Sequence, residues 1–192
     1  KILSYKESEF IISYYIVGNI NNQYVKSIKL VRYSYEGKKI INKNLIDTGV
    51  ISSYNIYDLL NDNIAIMWEC KDTPPTYSKN SEIYLMVAKN NNNFDLVKSS
   101  FLVNTSDLNE IIQNPKMIIL KDTQNNQLRY IVLYETEKLN AIIYNEDFTI
   151  FKDKFIIDID KDKIENLNPN YLAIGELSLF YIFYRKTDEN NN

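Results

Sequence analysis

Histidine is absent from this 192-residue chain, and cysteine occurs once, at Cys70. The first absence removes the commonest general base and metal ligand, so Ser-His-Asp, Cys-His and histidine-ligated zinc chemistry are excluded within the sequence. The second excludes an internal disulfide. Cys70 stands in the run 63–72, which reads as a buried strand, so a packed, inert thiol is expected rather than a redox or nucleophilic one. Only four glycines occur, and no Gly-rich phosphate loop of the P-loop or dinucleotide type can be built from them. Positive charge is also short. A net charge of −3 and a pI near 5.1 give no basic footprint for a phosphate backbone, so nucleic acid is excluded as an expected partner. No apolar run approaches the roughly 18 to 20 residues of a membrane-crossing helix, and the N-terminus lacks the layout of a signal peptide.

What is present is ordinary globular material: 45% hydrophobic and 24% charged residues, enough for a sizeable core. Ile, Asn, Lys and Tyr are heavily used, which is the usage A/T-rich codons produce, and this makes the asparagine runs weak evidence of function. The informative feature is an internal repeat. Phe148-Thr149-Ile150-Phe151-Lys152-Asp153-Lys154-Phe155-Ile156-Ile157 recurs upstream as Phe94-Asp95-Leu96-Val97-Lys98-Ser99-Ser100-Phe101-Leu102-Val103, and a third, worn copy begins at Lys38. Spacings of this size mark solenoids, propellers and arrays.

Taken in order, residues 9–18 and 24–35 read as strands, followed by the first copy at 38–47. Residues 50–60 read as a connection with a helical turn at 57–60. The near-continuous apolar run 63–72 predicts a strand buried on both faces. Strand 82–88 and an asparagine turn at 90–93 lead into the second copy; asparagine tolerates left-handed backbone angles and is expected to replace the missing glycines there. After a linker at 106–114, Pro115 opens a third unit with strands 116–121, 128–135 and 139–145 and the third copy. Residues 171–175 and 177–185 begin a fourth that the chain does not complete. The approximate units are 1–49, 50–105, 106–160 and 161–192, within a single all-β domain or part of one. The expected fold is a partial β-propeller of four-stranded antiparallel blades, with a β-sandwich as the alternative.

Pro115-Lys116-Met117, the hairpin Tyr144-Asn145-Glu146-Asp147-Phe148 and the aromatic Phe151 resemble the blades of sialidase- and invertase-type propellers. They resemble in particular the catalytically empty form found in malaria-parasite invasion proteins such as the cysteine-rich protective antigen. The codon-biased composition resembles that of malaria-parasite (apicomplexan) proteins, with low-GC bacteria as the alternative source. The sialidase hairpin pattern Ser-x-Asp-x-Gly-x-Thr-Trp is met only partly by Ser34-Tyr35-Glu36-Gly37, by 90–93 and by Asn145-Glu146-Asp147.

The resemblance directs attention to particular residues. Sialidases clamp a carboxylate with three arginines, and this chain has three, Arg32, Arg129 and Arg185, but at different points of their units, so surface or snorkelling roles are expected. Invertase-like enzymes carry their acid/base glutamate in Trp-Glu-Cys-Pro; here Trp68-Glu69-Cys70-Lys71 stands without the second carboxylate that glycoside hydrolysis needs. Tyr14, Tyr15 and Tyr181 to Tyr184 read as strand residues. Asp158-Ile159-Asp160-Lys161-Asp162 lacks the glycine and closing glutamate of a calcium loop, and Asn104-Thr105-Ser106 is a formal glycosylation acceptor.

These readings converge on a non-enzymatic propeller segment with no catalytic, cofactor-binding or metal residues. It is expected to serve as a protein-interaction scaffold, a fragment of a larger parasite protein or complex whose remaining segment or partner completes the ring. A secreted or surface setting is favoured over the cytoplasm. The alternative is a glycan-binding or glycoside-hydrolase-like propeller whose catalytic residues lie outside this chain.

Overall fold

A computed structural model describes residues 1–5, 8–20, 23–46, 50–71, 81–103, 112–121, 127–136 and 138–158. Every element among them is a strand: β1 (Ile2–Tyr5), β2 (Glu9–Ile20), β3 (Gln23–Ser34), β4 (Lys39–Ile46), β5 (Val50–Asp58), β6 (Asn63–Lys71), β7 (Ser81–Lys89), β8 (Leu96–Leu102), β9 (Gln113–Lys121), β10 (Leu128–Glu135), β11 (Leu139–Asn145) and β12 (Ile150–Asp158). They form three four-stranded sheets, β1-β2-β3-β4, β5-β6-β7-β8 and β9-β10-β11-β12, in each of which sequence neighbours pair antiparallel. The fold class is all-β, and the sheets are up-and-down blades of the kind a propeller repeats. A sandwich would divide the strands between two sheets, and that alternative is set aside.

The chain divides into two compact units, Lys1–Glu110 with the first two sheets and Ile111–Asn192 with the third. In the first unit, Ile11, Ile28 and Leu30 of one sheet pack against Ile51, Ile56, Ile64, Ile66, Trp68 and Met86 of the other. Each such aliphatic side chain contributes on the order of 2 kcal/mol by leaving water. The Tyr54 hydroxyl donates to Ser13 O at 2.7 Å, and the Tyr15 and Tyr54 rings meet edge to face at 4.6 Å. In the second unit, Ile118, Ile131, Leu133 and Ala141 form one face of the sheet.

Inner strands are buried on both faces, as the run 63–72 predicts: Ile64, Ile66 and Trp68 face one way and Ala65, Met67 and Glu69 the other, and all are buried. Ile131 and Leu133 are likewise buried; Ile182 and Tyr184, expected to match them, lie outside the described residues. The fourth strands differ, being mostly exposed along their length.

Several expectations are corrected. The helical turn at 57–60 is absent: β5 runs through Tyr57 and Asp58, held by the pairs Tyr54↔Trp68 and Ile56↔Ile66. The first unit gains a strand, β1, too short to show in the pattern. Pro115 does not open β9 but lies inside it, where an edge strand tolerates proline because one side needs no backbone donor. Of the linker 106–114, residues 113 and 114 belong to β9, while 106–111 and the fourth unit fall outside the described residues.

The repeat itself is sharper in backbone than in sequence. Gly37, Phe94 and Phe148 all take positive φ (82°, 49° and 62°), and each donates its N–H to the carbonyl three residues earlier. Gly37, not Lys38, is therefore the true counterpart of Phe94 and Phe148. Asparagine does not replace glycine at the second hairpin; Phe94 takes the left-handed position. Ser34 N–H bonds Lys38 O and Asn145 N–H bonds Thr149 O, but the matching bond of the second hairpin runs from Lys89 N–H to Asp95 O, so that loop is two residues longer. Just beyond each hairpin the fourth strand carries an extra residue. Tyr33↔Lys39 gives way to Arg32↔Ile41, Ala88↔Leu96 to Val87↔Lys98, and Tyr144↔Ile150 to Ile143↔Lys152. The bulged residues are Ile40, Val97 and Phe151.

Candidate functional site

All three bulged residues are exposed and apolar: Ile40 at 42%, Val97 at 50% and Phe151 at 57% relative exposure. A bulge breaks the alternation of a strand and re-aims a side chain, so the same backbone device turns an apolar group to solvent in every repeat. Leu96 and Leu102 on β8, and Ile150 and Ile156 on β12, add to these, so the fourth strands hold most of the large exposed apolar side chains found among the described residues. The sequence contained the repeat but not this exposure, because the pairing that creates each bulge cannot be read before the register is known.

Beside Phe151 lies an open groove of about 400 Å³, lined by Gln127, Leu128, Arg129, Asn145, Glu146, Asp147 and Phe151. Arg129 and Asn145 are direct cross-strand partners, which brings the guanidinium Nη1 donor onto Asn145 Oδ1. The guanidinium also lies over the Phe151 ring, 3.8 Å from its centroid, a cation–π contact that fixes the long side chain. Asn145 Nδ2 donates to Thr149 Oγ1 at 2.9 Å, and that hydroxyl donates to Asp147 Oδ1 at 2.6 Å. Thr149 N–H donates to the same Asp147 oxygen at 2.9 Å. The positive and negative ends are thus joined through two neutral side chains, and the hairpin is held rigid.

The other candidates fall elsewhere. Arg32 is not a surface arginine. It is 1% exposed and reaches from β3 into the lengthened second hairpin, donating from Nη2 to Asn90 Oδ1 at 2.9 Å and Asn91 O at 2.7 Å, and from Nη1 to Asn92 Oδ1 at 3.2 Å. Glu9 lies 3.7 Å from its Nε, and the Phe94 ring lies under it at 5.1 Å. The asparagine run is therefore a socket. Glu69 is buried, accepts a hydrogen bond from Ser53 Oγ at 3.1 Å, and stands on the face of β6 opposite Trp68. Trp68 stacks on Tyr84 at 5.6 Å, and Cys70 packs against the same cluster.

Two phenols are perturbed. Tyr15 is pushed up to about 12, by burial first and then by its neighbours Tyr54 and Glu69. Tyr144 is pushed up to about 12 by burial and by the charge of Asp153. Neither is poised to exchange a proton near neutrality. Among the described residues no group of three or more acidic or cysteine side chains could hold a metal ion. Arg185, Asn104, Tyr181 to Tyr184 and most of the 158–162 segment lie outside the described residues. No protein-family model, curated protein or solved structure matches the chain.

Proposed function

We propose that the chain is a non-enzymatic propeller-type segment whose fourth strands each present a protein-contact surface, as part of a larger protein or complex. The observation that carries this reading is the repeated bulge with its exposed apolar residue, culminating on β12, where Ile150, Phe151 and Ile156 are 58%, 57% and 48% exposed. Exposed apolar side chains are costly when they cluster, and aromatic and arginine residues are the ones that anchor protein interfaces. The enzymatic alternative has weaker support. Glu69 is 5% exposed and accepts a hydrogen bond from Ser53, which weighs against a role on a polysaccharide.

Two experiments test the reading. A photo-crosslinking amino acid placed at 97 or 151 should give discrete adducts in extracts of the source cells, whereas the same group at Lys121, exposed on β9, should give none; equal labelling from all three positions would refute it. A glycoside-hydrolysis panel should show no turnover, and turnover abolished by Glu69→Gln would replace the scaffold with an enzyme.

A further inference from the structure

The groove at Arg129 is more specific than an apolar patch, and its chemistry names what it would take. All the contacts that Arg129 makes among the described residues are accounted for: Nη1 on Asn145 and the π face on Phe151. Among the described residues no hydrogen bond engages its Nε and Nη2 donors, which form the fork that matches a carboxylate with two parallel hydrogen bonds, and the residue lines the groove. The side chain is already held by the ring and by Asn145, so little rotamer freedom is lost when a partner docks.

We infer that this groove receives a single carboxylate side chain, Asp or Glu, of a partner protein, flanked by an apolar residue that covers Phe151 and Ile150. The inference rests on the protein-contact reading above and deepens it. Local charge selects this occupant over a polyanion. Arg129, Lys152 and Lys154 are offset by Glu146, Asp147 and Asp153, so the surface has little net field to draw in a phosphate- or sulfate-rich polymer, whereas a short-range bidentate bond is open to one carboxylate. No ion pair joins Asp147 to Arg129, and one Asp147 oxygen already accepts two hydrogen bonds from Thr149.

The test uses the full 192-residue chain, isotope-labelled, titrated with acetyl-Leu-Glu-Leu-amide and with the same peptide carrying Gln or Lys at the centre. Resonances of the Arg129 Nε–H and the Phe151 ring should shift saturably with the Glu peptide. The Gln peptide should bind about tenfold more weakly, because a charge-assisted bond exceeds a neutral one by about that factor. Arg129→Gln should remove the preference, and Arg129→Lys, which keeps the charge but loses the fork, should lose most of it. Dispersion of the Trp68 indole resonance, in the other unit, and of the β11 amides reports that each variant is folded. Equal affinity for Glu and Gln, a preference for Lys, or a Glu-peptide shift that survives in folded Arg129→Gln would each overturn the inference. Crosslinks at 151 without carboxylate selectivity would leave the contact surface standing and this assignment refuted, so the two failures are distinguishable.

Discussion

Replacing Arg32 by methionine should destabilise the first unit by about 3 kcal/mol, and two opposing effects decide that figure. Burying a guanidinium is expensive, and exchanging a buried ion for an apolar side chain of similar volume is often neutral or even stabilising. That exchange helps only when the ion's partners leave with it; removing one partner alone strands the others. Here the acceptors on Asn90, Asn91 and Asn92 stay behind, and so does the Glu9 carboxylate 3.7 Å from Nε. Asn90 Oδ1 is on a residue 6% exposed, and Asn91 O is half-buried; stranding them costs roughly 1 to 3 kcal/mol for the first and about 1 kcal/mol for the second. Asn92 is exposed and finds water at no cost. Loss of the contact with Phe94 adds about 0.5 to 1 kcal/mol. Methionine refills most of the volume, so no large cavity term is added.

The chain's single tryptophan makes the measurement direct, because Trp68 is 3% exposed in the cluster between the same two sheets. Its fluorescence under urea should show a lower midpoint for Arg32→Met at an unchanged slope, which marks a loss of stability rather than of compactness. Arg32→Met combined with Asn90→Leu should recover about 1 kcal/mol or more, since the stranded acceptor is then gone. Lys43 reaches the same hairpin from the surface, donating to Asn93 O and Phe94 O, and Lys43→Met should cost under about 1 kcal/mol. A loss below about 1 kcal/mol for Arg32→Met, or no recovery in the double variant, would refute the stranded-acceptor reasoning.

Phe148→Gly relieves a left-handed backbone worth about 1 kcal/mol but removes a 7% exposed ring stacked on Tyr130 at 4.5 Å, so a net loss of about 2 kcal/mol should appear in denaturation of the second unit. Gly37→Ala has no such ring to offset and should cost about 1 kcal/mol through strain alone, read from the same Trp68 transition. Tyr15 and Tyr144 ionise at about 12 in the fold and at 10 when unfolded, so the folded state holds more protons between those values. Stability from this source is complete below pH 10 and falls as pH rises from 10 towards 12; tyrosinate absorbance should lag behind that of the urea-unfolded chain, and Tyr144→Phe should flatten part of the slope.

Legibility followed the physics of each strand. β10 and β11 are bounded in the sequence at the residues where they begin and end in the structure, because both are apolar runs interrupted by a polar turn. β5 was hidden because Ser52, Ser53, Asn55 and Asp58 dilute its pattern, and its stability comes from β6 opposite rather than from its own periodicity. The repeat was visible, yet its first copy was displaced by one residue: what recurs is a left-handed backbone angle, filled once by glycine and twice by phenylalanine. Arg32 reads as a surface residue in the sequence for a similar reason. The acceptors of its hydrogen bonds to the asparagine run lie 58 to 60 residues away, and the two-residue extension of the second hairpin brings them to the buried guanidinium.

The outer strands raise the question of how a sheet can show so much apolar surface and remain discrete. A flat, regular edge with Ile150, Phe151 and Ile156 on it would pair with any other edge it met. β12 is neither flat nor regular: its pairing with β11 shifts between Leu139 and Asn140, between Ala141 and Ile143, and between Ile143 and Tyr144. β8 carries two of the same shifts at matching positions against β7. Each shift breaks the even spacing of backbone donors and acceptors that strand addition needs, and Lys98, Lys152 and Lys154 place charge along the same strands. Lys98 and Lys152 lie over Phe101 and Phe155 at 4.9 and 4.4 Å, which covers ring faces that would otherwise be wet. Backbone pairing is thus disfavoured along both strands while the bulged side chains stay exposed.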